Sequence, residues 1–284
     1  MKKKKSVFSN TDYQYSSLPT TRKEAFKDVY KHNFKTITLS GLTLLLFAIP
    51  LIIFLVAMDF GKLGMTPDRF NEQELRAVLL LWDIIVNAGA IVLLYSVLIG
   101  LMGIMRVLKL LVWQEGIDFW HDFKVGIKEN IKYFSLLYLF GSLIYLGTYC
   151  VYIFLLNFLI GIWLIILFII IFVSIGIWAY FVINVYQTTL WNYIKNGLFF
   201  FSRSLPLTLL YVVMIVFPFF SIFIPVSGLT IVIKYPVMIA MLIFHYPFLI
   251  IVGYLYSLTK FDLYINKDNY PEIYRKGLYN LNKK

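Results

Sequence analysis

Tyr133 to Ile194 reads YFSLLYLFGSLIYLGTYCVYIFLLNFLIGIWLIILFIIIFVSIGIWAYFVINVYQTTLWNYI, 62 residues without one Asp, Glu, Lys, Arg or His. A single helix of that length would reach about 93 Å at 1.5 Å per residue, roughly three times the thickness of bilayer hydrocarbon. The run must therefore fold back on itself. Asn157 and Gly161 are the turn candidates, and the reading is a tight helical hairpin with spans near 134–156 and 158–187.

Working outward, four more apolar runs appear. Two precede the hairpin, near 37–58 and 77–105, and two follow it, near 206–224 and 236–258. The 29-residue second run is long enough to cross with tilt. The first begins behind a polar, basic stretch of 36 residues and is about 22 residues long. Its position and length read as a retained span, not a cleaved leader. Residues 21–35 have the makings of a short surface helix.

Composition agrees with lipid as the solvent. Apolar residues make up 60% and charged residues only 14%, with a mean hydropathy of +0.78. A soluble domain carries about 25% charged residues. Continuous apolar runs exclude the alternating ten-residue pattern of a transmembrane barrel, and helices satisfy every backbone amide within hydrocarbon. The net charge of +11 invites a nucleic-acid reading, but the basic residues gather at the ends of the apolar runs. With the N-terminus inside, segments 1–36, 106–133, 188–205 and 259–284 hold nine, five, two and six Lys/Arg, or 22 of the 26. The outer side keeps only Lys62, Arg69, Arg76 and Lys234. This asymmetry predicts both termini in the cytoplasm and no nucleic-acid partner.

The fold expectation is therefore an all-α membrane protein. Six transmembrane helices form three hairpins, N-in/C-in, with a basic tail at 1–36, a membrane domain at 37–258 and a second basic tail at 259–284. A weak threefold pattern precedes the odd spans: Lys31-His-Asn33-Phe-Lys35, Lys128-Glu-Asn130-Ile-Lys132 and Ser202-Arg203-Ser204. Each leads into one outward-and-back hairpin, although Lys and Asn are also common at any cytoplasmic boundary.

The segment from Glu115 to Lys132 is the most informative polar stretch. Asp118 suits a helix N-cap, with His121 and Asp122 in the first turn. Phe119, Phe123, Ile127 and Ile131 recur every four residues, and Lys124, Lys128 and Lys132 make an adjacent stripe. That pattern predicts an amphipathic helix on the inner leaflet, its apolar edge among acyl chains and its lysines among anionic headgroups. The alternative is a docking helix for a soluble partner such as an ATPase. Asn130 completes the candidate surface.

Within the spans, Asp83 is the one carboxylate, and Asn87 at i+4 shares its helix face. An ionisable group in a span is a functional-site candidate. The structural alternative puts Asp83 at the outer interface, paired with Arg76 or Lys234. His245, between Phe244 and Tyr246, is a second candidate because histidine titrates near neutral pH. Packing through a hydrogen bond is the plainer reading. Pro206, Pro218, Pro225, Pro236 and Pro247 crowd the last two spans and mark that hairpin as the place for kinks and a cavity. Cys150 is the single cysteine, so no internal disulfide forms. No Cys/His metal spacing or phosphate-binding loop occurs, and neither catalytic residues nor a cofactor is expected.

Arg106 after a long apolar span, Glu115-Gly-Ile-Asp118, Asp122-Phe123-Lys124 and Gly126-Ile-Lys128-Glu-Asn130-Ile-Lys132 carry a resemblance. Ile194-Lys195-Asn196-Gly197 and Ser204-Leu205-Pro206 extend it. Over roughly residues 85–258 the chain resembles the YesL-like family of bacterial integral membrane proteins, whose function is not known. It departs from that pattern in its long N-terminal tail and in residues 59–76. The resemblance implies a non-enzymatic accessory or assembly role in solute (carbohydrate) uptake at the bacterial plasma membrane, with other membrane-transport subunits as partners. A small transporter or channel using Asp83, Asn87 and His245 is the alternative, and a membrane-embedded lipid-modifying enzyme the third reading.

Overall fold

The computed structural model describes residues 18–65, 71–155, 158–217 and 227–279. Every regular element among them is helical. In chain order these are α1 (Arg22–His32), α2 (Phe34–Leu63), α3 (Glu72–Val112), α4 (Phe119–Leu155), α5 (Phe158–Phe168), α6 (Ser174–Val185), α7 (Leu190–Arg203), α8 (Leu205–Val216), α9 (Gly228–Ala240), α10 (Tyr246–Phe261) and α11 (Lys267–Asn269). Single π turns join α5 to α6 at Ile169–Val173, α9 to α10 at Met241–His245, and α10 to α11 at Asp262–Asn266. Side-chain caps fix several starts. Thr21 accepts from the Glu24 amide, and Asn71 forms a reciprocal capping box with Glu74. Thr189 and Ser227 cap α7 and α9 in the same way.

Five of these helices or helix runs are long and apolar enough to cross a membrane: Phe34–Leu63, Glu72–Val112, Phe119–Ile153, Trp163–Val185 and Gly228–Asn269. A sixth results if α7 and α8, bent by 107° at Ser204, count as one broken span. The chain is an all-α, multi-span membrane protein. Five of the expected runs thus stand as helices. For the run at 206–224, α8 supplies twelve residues, and residues 218–224 lie outside the described residues. Of the turn candidates in the charge-free stretch, Gly161 sits inside α5, and Asn157 lies outside the described residues.

One local expectation is corrected. The amphipathic stretch from Phe119 is not a separate helix on the membrane surface: it runs without a break into the third span, as 37 residues of α4. No proline or glycine pair interrupts it, and nothing ends the helical hydrogen-bond ladder. The inner segment 188–205 holds α7. This helix lies along α6, and the close approach occurs at Gly197, where a Cβ would stand 2.7 Å from the Ile175 carbonyl oxygen. The pattern before the odd spans is likewise uneven. Asn33 separates α1 from α2 and Ser204 separates α7 from α8, whereas Asn130 is in mid-helix.

The helices outreach the bilayer. At 1.5 Å per residue the 41 residues of α3 extend about 61 Å, twice the hydrocarbon thickness. The C-terminal turns of α3 lie at the end that carries α1 and residues 262–279, called here the basic end. There the C-terminal turns of α3, α6 and α10 meet α1, α7 and the start of α4. Met102, Leu108, Val112, Phe134, Phe200, Tyr254, Leu258 and Phe261 are all fully buried in this core. Trp178 stacks on Phe200 at 5.1 Å, and Phe181 meets Tyr254 edge-on at 4.9 Å. Toward the opposite end the core thins, and in the most apolar stretch of α4 no residue is buried.

The last span shows how proline shapes this packing. Pro247 cannot donate to the carbonyl of Ile243, four residues back, and the π turn Met241–His245 occupies that place. Gly41 of α2 packs directly on the Ile243 carbonyl, so close that any Cβ at position 41 would overlap it. Glycine there lets two backbones touch.

Candidate functional site

The start of α4 is built as its residues suggest, and then used differently. The Asp118 carboxylate accepts from the His121 amide at 3.3 Å, and the Asp122 carboxylate accepts from the Asp118 amide at 2.9 Å. Phe119 and Phe123 stack at 6.4 Å with nearly parallel rings, and both are buried. Phe123 fills the space beside Gly103 of α3 and meets Phe47 of α2 at 5.8 Å. The Phe119–Phe123 part of the apolar edge therefore faces protein, not acyl chains, whereas Ile131 at its far end is exposed. An amphipathic pattern states only that one side avoids water, and here α2 and α3 supply the cover. Asn130 also turns inward, its amide donating to the Gly126 carbonyl at 2.9 Å. Lys124, Lys128 and Lys132 remain exposed, together with Trp120, and none pairs with a carboxylate among the described residues.

Beside this face lies a polar cluster that sequence reasoning only touched at Arg106. That guanidinium ion-pairs with Glu129 and reaches Asp122 at 3.8 Å. Gly126 permits the crossing, since a Cβ there would stand 2.7 Å from the Arg106 Cβ. One turn on, Lys109 is buried and donates to the Asn184 carbonyl. Lys109 and Lys276 both stand over the Trp113 ring, at 4.8 and 4.0 Å, and Lys276 reaches Glu115 at 2.5 Å.

A clasp closes the same end. Asp262 accepts from Arg22 at 2.7 Å, from the Arg275 amide at 3.1 Å and from Asn266 at 2.7 Å. Arg22 also donates to the Lys276 carbonyl at 2.9 Å. The two Arg22 bonds join residues 240 and 254 positions apart, a distance no local pattern spans.

At the opposite end the candidate Asp83 is half-exposed and meets Lys62 at 3.4 Å. Neither expected partner is its own: Arg76 pairs with Glu72, and Lys234 with Asp59. The Asn87 amide donates to the Asp83 carbonyl at 2.8 Å and accepts from the Tyr145 hydroxyl at 2.6 Å. These two residues thus belong to the α2–α3–α4 contact. His245 sits in the π turn of the last span, its Nε2 3.0 Å from the Met214 carbonyl of α8. The two candidate groups share no partner, and the structure does not unite them in one site. His245 does line an open apolar groove of about 430 Å³, with Tyr30, Val237, Ala240, Met241, Phe244 and Phe248.

A buried ion pair at this end was not foreseen. Lys234, buried, meets Asp59 at 2.6 Å, and the Tyr235 hydroxyl donates to the same carboxylate oxygen at 2.7 Å. A lysine beside a tyrosine just before the expected span 236–258, in mid-α9, was the available signal. Among the described residues no group of three or more His, Cys, Asp or Glu side chains is placed to hold a metal ion. No family model matches this chain, and neither does any curated protein or solved structure.

Proposed function

We propose that this protein is a non-enzymatic accessory or assembly factor of the YesL-like type in the bacterial plasma membrane. It holds its basic end in the cytoplasm and docks a subunit of a solute-uptake system there. The observation that carries this reading is the outward face of α4. Phe119 and Phe123 of its apolar stripe are buried inside the protein, so protein contacts fix the start of the helix and leave Trp120, Lys124, Lys128 and Lys132 exposed. The exposed tryptophan offers a partner an aromatic anchor, and the lysines around it form a cationic rim that steers an acidic surface. The lysine excess at this end supports the cytoplasmic orientation and contact with an anionic inner leaflet.

A photo-crosslinking residue at position 120, 124 or 128 in living cells tests the reading. It expects one discrete adduct with a permease or ATPase subunit, lost when Lys124 and Lys128 become Glu. Adducts with lipid alone would overturn it. A conduction path through Asp83 and His245 draws no support from the geometry, because the two engage different helices.

A further inference from the structure

The groove beside His245 has features that define an occupant. It follows α9 and α10 from Val237 to Phe248, eleven residues or about 16 Å, close to the acyl depth of one leaflet. Its lining is apolar except for His245 and the Tyr30 hydroxyl at its mouth. Phe26, Tyr30 and Phe34 make a column on α1 and the start of α2, with neighbouring ring centroids 6.0 and 5.8 Å apart. Phe248 meets Phe26 edge-on at 5.6 Å and closes the top of the groove. Aromatic rings at this position mark the headgroup level.

Above that level lies a row of cations. Lys23, Lys27 and Lys31 recur every four residues along α1, and all are exposed. None pairs with a carboxylate among the described residues. Lys23 and Lys27 stand seven and three positions before Tyr30, on the same helix face. The rotation of α1 is fixed from behind. Ala25 and Val29 are fully buried, and Arg22 is tied to Asp262 and to the Lys276 carbonyl. The lysine row is thus held over the mouth of an apolar channel one leaflet deep.

We infer that this is a binding site for an anionic phospholipid, its phosphate among Lys23, Lys27 and Lys31 and one acyl chain lying along Tyr30, Ala240, Phe244 and Phe248. The site is separate from the docking face on α4 and stands whether or not that face has a protein partner. Its occupant is a single oriented lipid, distinct from the diffuse attraction of any basic surface.

Spin-labelled phosphatidylglycerol and phosphatidylcholine, offered to the purified full chain in neutral vesicles, test it. The wild type is expected to immobilise phosphatidylglycerol in preference to phosphatidylcholine. The triple variant Lys23→Gln, Lys27→Gln, Lys31→Gln is expected to lower that preference at least about fivefold, since each lysine near a headgroup contributes on that order. Ala240→Trp, at an exposed position, fills the groove and is expected to lower immobilisation of both lipids with no change in thermal unfolding. An unchanged anionic preference in the triple variant would overturn the headgroup assignment. Unchanged immobilisation in Ala240→Trp would overturn the acyl channel.

Discussion

The two ends of the molecule handle their charges and their apolar surface in opposite ways. At the end bearing Asp59 and Asp83 the described cations are few, and all are paired: Lys62 with Asp83, Arg76 with Glu72, Lys234 with Asp59. At the basic end many lysines stand free, while Arg22, Arg106, Lys109 and Lys276 hold helices together from inside. Apolar packing divides the same way. The basic end has a core with fully buried Leu108, Phe200 and Phe261, whereas the middle of α4 exposes Leu139, Phe140 and Leu143. Water forces a core where helices leave the bilayer. In hydrocarbon an exposed leucine costs nothing, and helices there are held by close contacts and polar ties.

Substitutions that separate those two regimes sharpen the comparison. The largest effect is expected at Asp59→Ala, which strands the buried Lys234 ammonium and removes the acceptor of Tyr235. Thermal unfolding in micelles should report a loss of about 3–5 kcal/mol. Leu108→Ala at the basic end should cost about 3 kcal/mol by the same measurement. Leu143→Ala on the lipid-facing side of α4 should cost well under 1 kcal/mol. Equal losses at Leu108 and Leu143 would break the distinction.

A comparably small effect is expected at Asp83→Asn, whose half-exposed pair with Lys62 contributes below about 1 kcal/mol.

What the amino-acid sequence reveals follows the same division. The crossing helices are legible because hydropathy is a local property, and a run such as 133–194 leaves no other reading. The lysine row of α4 and the Asp118 cap are local too, and both are found. The partner of its Phe119–Phe123 edge is not legible, since lipid and protein ask for the same residues. Lys62 was missed as the partner of Asp83 because α2 continues to Leu63, past the apolar run that marked its end. The Asp262 clasp, the α6–α7 contact at Gly197 and the burial of Lys109 depend on residues far apart in the chain. Only the folded arrangement brings them together.

The account stands on the basic end facing the cytoplasm, and one labelling experiment decides that. With Cys150 replaced by Ala, single cysteines are placed at Lys23, Lys276 and Gln73, and intact cells are treated with a membrane-impermeant maleimide. The expected result is labelling at position 73 alone, with 23 and 276 reacting only after the cells are opened. Labelling at 23 or 276 in sealed cells, with 73 protected, would contradict the account.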